Sequence, residues 1–325
     1  MANKKALITG VLGQDGIFLS KLLESKGYSV LGTYSGRAPH NLRNQQFLPL
    51  ETKLFEVDNA TTSNLEQILR QEKPDELYNL SALSSVRASF DDPILTKRLN
   101  ETNPISILNF LAIELPETKF YQAGSSEMFG IPKESPQNEL TQFDPRSPYA
   151  VSKVNAFNQV TRSREDGLFA VNGIMYNHES EYRPDTFVSR KITKNIARIL
   201  LKKQEKFSLG ELSIIRDWGY AGDYVSAMWL MLQQETPKDY VVATGNARTL
   251  SDFVLEALDI VGLERNLDKW VSTDPEMYRK NEITNLTGDA SKARADLGWE
   301  PTTSFRSWVT RMIENDYKLE SKSDV

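Results

Sequence analysis

The opening of this chain constrains its fold more than any other feature. A short apolar run, Lys5–Thr9, ends in Gly10-Val-Leu-Gly13-Gln-Asp-Gly16, and a helix-period segment follows at once. Gly10 suits a tight turn, Gly13 lets backbone approach a ligand at the helix N-terminus, and Gly16 permits close packing of helix on strand. The spacing is G-x-x-G-x-x-G rather than G-x-G-x-x-G, and a glycine triplet also serves any βα turn that needs positive φ. Its place between a strand and an amphipathic helix favours a dinucleotide pyrophosphate.

The alternation continues. Gln14–Ser25 sets Phe18, Leu19, Leu22 and Leu23 on one helical face, and Lys26-Gly27 stops it. Strands are expected at Ser29–Tyr34, Glu76–Leu80, Phe120–Ala123, Phe169–Met175, Lys206–Leu209 and Tyr240–Thr244. Helices are expected at Asn64–Gln71, Ser106–Leu115, Val188–Leu201, Asp223–Gln233 and Ser304–Glu320. A further short helix, Ala290–Leu297, is expected with Asp289 as N-cap and Gly298 closing it. His178–Asp185 is polar, contains a proline and reads as a loop. The Met-Trp-Leu-Met-Leu run of Asp223–Gln233 reads as core. Strand–helix alternation implies an α/β fold, a Rossmann-type doubly wound parallel sheet with its ligand at the strand carboxyl ends. The looser second half implies a smaller, interleaved C-terminal α/β domain. The expected division is 1–175 with about 213–245 against about 176–212 with 246–325.

Composition removes several chemistries. The 325 residues include no cysteine and two histidines, His40 and His178. That excludes disulfides, thiolate metal sites, a cysteine nucleophile and a multi-histidine metal centre, so no metal is expected. A net charge of −5 gives no nucleic-acid footprint. No apolar run reaches the ~18 residues of a membrane span. The first residues lack a secretory pattern, so a cytoplasmic location is expected.

The second strand runs into Gly32-Thr-Tyr-Ser-Gly-Arg37, with no carboxylate until Glu51. An acid there would read the 2′-hydroxyl of NAD, whereas arginine suits the 2′-phosphate of NADP. Arg37, with Arg43 behind it, points to NADP. Asp58 follows the next strand and either approaches the adenine or caps a helix. Tyr149-Ala-Val-Ser-Lys153 puts tyrosine and lysine on one helical face. A tyrosine of pKa about 10 is a poor base at neutral pH, and an adjacent ammonium favours its phenolate. Gly124-Ser-Ser-Glu127 follows a strand, so Ser125 and Glu127 face the same cleft end. Ser125 can donate to a hydroxyl or carbonyl. Glu127 is either a proton acceptor or an ordinary capping or solvated glutamate.

These motifs resemble the extended short-chain dehydrogenase/reductases, and within them the GDP-mannose 4,6-dehydratase family. The likeness runs nearly end to end. It includes Leu7-Ile-Thr-Gly-Val-Leu-Gly-Gln-Asp-Gly16, Phe120-Tyr-Gln-Ala-Gly-Ser-Ser-Glu-Met-Phe-Gly130, Pro145-Arg-Ser-Pro-Tyr-Ala-Val-Ser-Lys153 and Phe187-Val-Ser-Arg-Lys-Ile-Thr193. Gly173-Ile-Met-Tyr-Asn-His-Glu-Ser180 and Arg216-Asp-Trp-Gly219 are its most family-specific parts. The resemblance implies that Tyr149 and Lys153 serve oxidation at C4 of a sugar, Ser125 holds O4, and Glu127 takes the C5 proton while water leaves from C6. It implies an NADP contact set of Gly10, Gly13, Gln14, Asp15, Gly16, Arg37, Asp58, Asn59, Leu80, Ser81, Ala82, Ser84, Tyr149, Lys153, His178 and Arg183. From the residues alone, His178 reads as a satisfied core or loop histidine. The implied nucleotide-sugar contacts are Ser84, Ser125, Glu127, Tyr149, Asn177, Val188, Lys191, Leu209, Gly210, Arg216, Arg279 and Glu282. The implied substrate is GDP-mannose or a related nucleotide sugar, and the implied assembly a homodimer or homotetramer.

The chain also departs from the family. Ser125 stands where threonine is frequent, and Ser35-Gly36 where paired arginines are. Glu181-Tyr182-Arg183-Pro184 carries one arginine fewer than the family's version, Lys280 replaces a usual proline, and Ser251 a usual arginine. The alternatives are a dehydratase for a GDP-heptose or other nucleotide sugar, a reductase or epimerase, and a non-catalytic NADP-binding sensor. Glu127 speaks against a reductase or epimerase, since neither eliminates water from C6.

Overall fold

A computed structural model describes residues 3–36, 42–58, 60–277 and 283–322. Its main sheet holds seven strands: β1 (Lys5–Thr9), β2 (Ser29–Tyr34), β3 (Lys53–Glu56), β4 (Glu76–Asn79), β5 (Lys119–Ala123), β6 (Ala170–Met175) and β10 (Tyr240–Val242). Their order is β10-β6-β5-β4-β1-β2-β3, with every pair parallel. The chain therefore winds one way from β1 to β3 and the other way from β4, which makes the carboxyl ends of β1 and β4 the topological switch point. Both faces are buried, as a parallel sheet requires. Leu7, Leu31, Leu77 and Phe120 pack with Leu65, Leu69, Ile107, Leu108 and Leu111 from the helices Ser63–Glu72 and Asn103–Glu114. Ala6, Ile8, Tyr78 and Tyr121 face the other way, toward helices Gln14–Ser25 and Ala221–Leu232, where Met228, Met231 and Leu232 are core residues as expected.

A second layer is built around β9 (Ile215–Tyr220). This strand is flanked by β7 (Asn177–Glu179), β11 (Ala247–Thr249) and β13 (Asn285–Leu286), while β8 (Phe207–Leu209) pairs separately with β12 (Val271–Thr273). Helices Val188–Leu200, Leu250–Ile260 and Phe305–Lys322 bury Ile192, Ile196, Phe253, Val254, Trp308 and Met312 against Trp218 and Tyr220.

Several expectations change. His178–Asp185 is not wholly a loop, because Asn177–Glu179 pairs in parallel with Trp218–Tyr220. The strand was masked by polarity: Glu179 is buried yet satisfied by the Ser189 hydroxyl. β9 belongs to the smaller sheet, so the chain returns to the main one at Ala221, not near 213. The stretch after β13 returns again, since Leu286, Ala290, Ala293, Leu297 and Trp299 join the main core. Asp289 does not occupy the N-cap position, which falls to Ala290. Its carboxylate still accepts the Ser291 amide at 2.9 Å, and Gly298 closes the helix at φ 62°. Asp58 is not a helix N-cap either: it accepts the Ala60 amide at 3.0 Å, and the next helix starts beyond Thr62. No helix among the described residues is long and apolar enough to cross a membrane.

Candidate active site

At the switch point Gly10 adopts φ +70°, and a Cβ there would lie 3.0 Å from Ser81 Cα. Only glycine combines that dihedral with that approach. A Cβ on Gly16 would meet Val11 O at 2.4 Å, so this glycine is required by the packing of the helix on the turn that leads into it. Beneath the turn runs a buried polar ladder that the sequence did not disclose. Thr9 Oγ1 donates to Asn79 Oδ1 at 2.7 Å and accepts the amides of Leu80 and Ser81 at 3.1 Å. Asn79 Nδ2 donates to Gln122 Oε1 at 2.9 Å, and Gln122 Nε2 donates to Ala123 O at 3.1 Å. These bonds fix the ends of β1, β4 and β5 relative to one another.

Ala123 O also accepts Lys153 Nζ at 2.8 Å, which ties the ladder to helix Pro148–Glu165. Ser147 caps that helix by accepting the Ala150 amide, and Pro148 fills its first turn. Tyr149 and Lys153 then share one face, with Lys153 Nζ 5.8 Å from the Tyr149 ring centroid. Burial pushes the Tyr149 hydroxyl up to about 12; hydrogen bonding to Ser125 opposes this and the charge of Glu127 adds to it. Burial also brings the Lys153 ammonium down to about 8. Ser125 precedes a short 3-10 turn, Ser126–Phe129, and its Oγ accepts the Glu127 amide at 3.3 Å.

His178 is held from both sides. Nδ1 lies 2.7 Å from Tyr176 O and Nε2 lies 2.9 Å from Asp15 Oδ2. Both nitrogens can donate only when the ring is protonated. Burial opposes that charge, but the Asp15 carboxylate outweighs it, and the His178 pKa is raised. For Asp15 burial likewise favours the neutral form, and the imidazolium outweighs it, so its pKa is lowered. The Asp15 contribution to stability is thus present above its ordinary 3.8 and lost as pH falls through its lowered pKa. That of His178 is fully present below 6.5 and lost as pH rises through its raised pKa. With two histidines in the chain, imidazole NMR reads this directly once His40 is assigned by substitution. His178 is expected to titrate above 6.5, and Asp15→Asn to lower it, since burial and the charge of Arg183 are then opposed only by the Tyr176 carbonyl. An unchanged titration in that variant would refute the pairing.

A cavity of about 850 Å³ opens between the two layers. It brings together Asp15, Leu80, Ala82, Ser84, Ser125, Glu127, Tyr149, Lys153, Asn177, His178, Arg183, Val188, Lys191, Leu209, Gly210 and Arg216 from the expected sets. Gly10, Gly13, Gly16, Ser81 and Asp58 do not line it. Gln14 does not either, and its side chain turns to β7: Nε2 donates to His178 O at 2.9 Å and Oε1 accepts Ser180 Oγ at 2.7 Å. Arg37, Asn59, Arg279 and Glu282 lie outside the described residues, as does His40. The cavity also exposes walls that were not foreseen, including Arg87, Glu211, Ile214, Leu250 and Met277. Other lining residues did carry a signal through the quoted motifs, Trp218 in Arg-Asp-Trp-Gly, Tyr176 and Glu179 around Asn-His-Glu-Ser, and Phe187.

β9 gives the cavity a direction. Trp218 pairs with Asn177, Arg216 lies two residues back, and Ile214 precedes the strand. At about 3.3 Å per residue, Ile214 is about 13 Å from Trp218 along the strand. Arg216 is buried and donates to Ile215 O at 2.9 Å and Ile283 O at 2.7 Å. Lys191 Nζ meets the soft acceptor Met277 Sδ at 3.0 Å; burial lowers its pKa, Asp274 opposes this, and Arg87 adds to it. Arg183 forms an ion pair with Glu179 at 3.1 Å, off the hydrogen-bonding axis.

The fold is shared with well-known proteins. RMD from Pseudomonas aeruginosa, solved with NADPH, superposes with a TM-score of 0.80 at 20% identity, covering 97% of this chain and 100% of that one. The dTDP-glucose 4,6-dehydratase of Bacillus anthracis, solved with NAD, gives 0.83 at 19% identity, with 98% of each chain covered. Sequence relatives are nearer. The GDP-mannose 4,6 dehydratase 2 of Arabidopsis thaliana is 43% identical over 335 residues, spanning 99% of this chain and 89% of that protein. The GDP-mannose 4,6-dehydratase of Vibrio cholerae is 38% identical over 354 residues, spanning 97% and 94%. The family model described as GDP-mannose 4,6 dehydratase matches residues 7–312. With a match over nearly its whole length and relatives of this identity, the chain belongs to the GDP-mannose 4,6 dehydratase family.

Proposed function

We propose that this chain converts GDP-D-mannose to GDP-4-keto-6-deoxy-D-mannose and water, with NADP as its resident cofactor. One observation carries the reading: Ser125, Glu127, Tyr149 and Lys153 line one end of a single cavity whose wall continues along β9 past Arg216. The glycine turn suits a dinucleotide by its place, closing β1 at the switch point, where Gly10 takes φ +70° and Gly13 opens helix Gln14–Ser25. Gly13 and the helix start suit a pyrophosphate, with Asp15, His178 and Arg183 beside the cavity, and the family resemblance assigns Arg37, Asp58 and Asn59 to the adenosine end. When bound, the nicotinamide supplies the hydride acceptor for C4 and the hydride donor for C6.

The remaining work falls to the side chains. Tyr149 takes the proton of the 4-hydroxyl, and the Lys153 ammonium stabilises its phenolate. Ser125 donates to O4 and stabilises charge there as the ketone activates the C5 proton. Glu127 takes that proton and gives it to the departing C6 hydroxyl, so one water leaves; as hydride returns to C6, Glu127 relays a solvent proton to C5 and Tyr149 releases the 4-hydroxyl proton to solvent, so both groups are restored. Arg216 and Lys191 hold the diphosphate, with Val188, Leu209 and Gly210 beyond them. Family resemblance supports a cytoplasmic homodimer or homotetramer and a division of labour between the main sheet and the β9 layer.

The test is incubation with a panel of nucleotide sugars, followed by mass spectrometry. GDP-mannose is expected to lose 18 Da, with NADP preferred over NAD. Loss of water from a GDP-heptose in preference to GDP-mannose would move the substrate within this reading. No turnover of any nucleotide sugar would overturn it.

A further inference from the structure

The ladder of Thr9, Asn79 and Gln122 has a direction. A hydroxyl carries one hydrogen and two lone pairs. Thr9 Oγ1 accepts the Leu80 and Ser81 amides at 3.1 Å, so both lone pairs are taken and its hydrogen goes to Asn79, at 2.7 Å. Asn79 therefore presents its oxygen to Thr9 and its amide nitrogen to Gln122, at 2.9 Å. Gln122 in turn presents its oxygen to Asn79 and its nitrogen to Ala123 O, at 3.1 Å. The far end agrees, because a backbone carbonyl only accepts. Three donors on three buried residues thus point one way, and their positive end lies at Ala123 O.

That oxygen also accepts Lys153 Nζ, at 2.8 Å. Its two lone pairs are then filled, one by a neutral amide and one by the ammonium. The sharing has two effects. It fixes the ammonium against the end of β5, and it weakens the hold that a carbonyl serving Lys153 alone would have on the charge. Aligned hydrogen bonds polarise one another, so the last amide acts with the other two behind it. Around Lys153 stand Tyr149 on its own helix, Glu127 after β5, Asp15 on helix Gln14–Ser25, and His178 and Arg183 on β7 and the loop beyond. No carboxylate among the described residues pairs with it, and burial is what lowers its pKa.

We infer that Gln122 is a positioning residue that acts through Lys153: by sharing the Ala123 carbonyl it sets where the ammonium sits and how firmly that charge is held. This rests on the part given to Lys153 above. Gln122 does not line the cavity, so it reaches the reaction through that ammonium alone. An ammonium has three donors. A weak hold on one of them leaves the charge free to answer Tyr149 as the phenolate forms.

The experiment is competitive acylation of the lysines with trace acetic anhydride across the alkaline range, on the full-length protein. Peptide mass spectrometry reads the titration of Lys153, and kcat/KM for GDP-mannose is measured over the same range. In wild type Lys153 should titrate at about 8. In Gln122→Met the Ala123 carbonyl serves Lys153 alone, and the titration should rise by about half a unit, the lower end of a hydrogen bond's worth. In Asn79→Asp the introduced carboxylate has no hydrogen to give. Gln122 then turns its nitrogen to that carboxylate and its oxygen toward Lys153, and the rise should reach roughly one unit. The alkaline limb of kcat/KM should move with the titration. A residue that only supports the fold would lower Tm, or kcat at every pH, and leave both readings in place. An unmoved or lowered Lys153 titration in either folded variant overturns the inference, and each variant provides the test if the other does not fold. The two readings fail separately. A raised titration without GDP-mannose turnover, or with an unmoved limb, keeps the hold of Gln122 on Lys153 and removes the part given to Lys153 in the reaction. Turnover with a moved limb and an unmoved titration does the reverse.

Discussion

Replacing Glu127 with glutamine is expected to stop release of 4-keto-6-deoxy product while leaving cofactor and GDP-sugar binding in place. The substitution keeps the shape of the side chain and removes its ability to accept a proton. Its local structure rests on the backbone, through the Glu127 amide on Ser125 Oγ at 3.3 Å and the Met128 amide on Ser125 O at 3.1 Å, so the turn should survive. Loss of a positioned general base costs typically 10²–10⁴ in rate. Here the same carboxylate serves both C5 deprotonation and C6 departure, so the upper part of that range, roughly 10³ or more, is expected. Solvent exchange gives the sharper measurement. In deuterated water the wild-type product should carry deuterium at C5, and the variant should accumulate no such label in product or recovered substrate. A variant that still eliminates water at near wild-type rate would assign the C5 proton to another residue. A variant that no longer binds GDP-mannose would make Glu127 a structural residue.

Much of this site was legible because its chemistry is local. Tyr149 and Lys153 are one turn apart on one helix, Ser125 and Glu127 two residues apart after one strand, and the glycine turn is seven residues long. The elements that position them are also local signals. Gln14–Ser25 and Ser29–Tyr34 fall where apolar periodicity puts them, because β1 and β2 are buried on both faces and leave no other reading. What escaped is non-local. Thr9, Asn79 and Gln122 are scattered polar residues whose meaning comes from three adjacent strand ends. β7 and β9 are strands whose buried side chains include Glu179, Arg216 and Asp217, so hydrophobicity does not mark them. Asp217 shows why such burial is tolerated: its oxygens accept the Thr244 amide and hydroxyl at 2.9 and 2.6 Å and the Gly245 amide at 2.8 Å. The far cavity wall joins positions 209–214, 250 and 277, and no spacing in the sequence relates them. The interleaving of the layers was foreseen, but its crossing points depended on β9 and on the return of Ala290–Trp299 to the main core.

Replacing Tyr149 with phenylalanine is expected to lower kcat by roughly 10³ or more with little change in binding, because the hydroxyl is the group that moves a proton. The electrostatics give the reason it needs help. With its pKa near 12, deprotonating Tyr149 at pH 7 costs roughly 7 kcal/mol at 1.36 kcal/mol per unit. The charge of Arg183 already opposes that burial, and the Lys153 ammonium, 5.8 Å from the ring centroid on the same helix face, is the further cation proposed above to reduce the cost. Its own pKa near 8 keeps it mostly charged at neutral pH and lets it lose that charge as pH rises further. The sign follows: kcat/KM for the sugar nucleotide should fall above about pH 8, where the ammonium disappears while Tyr149 is still protonated. Lys153→Arg keeps a cation that does not titrate in this range, so its residual activity should lack that alkaline limb even though its rate is lower. An alkaline limb at the same pH in Lys153→Arg would separate the pH dependence from Lys153. Near wild-type kcat in Tyr149→Phe would remove the tyrosine from proton transfer. Loss in both variants, with the limb absent in the arginine variant, would show that one turn of helix supplies both the proton acceptor and the charge that makes it competent.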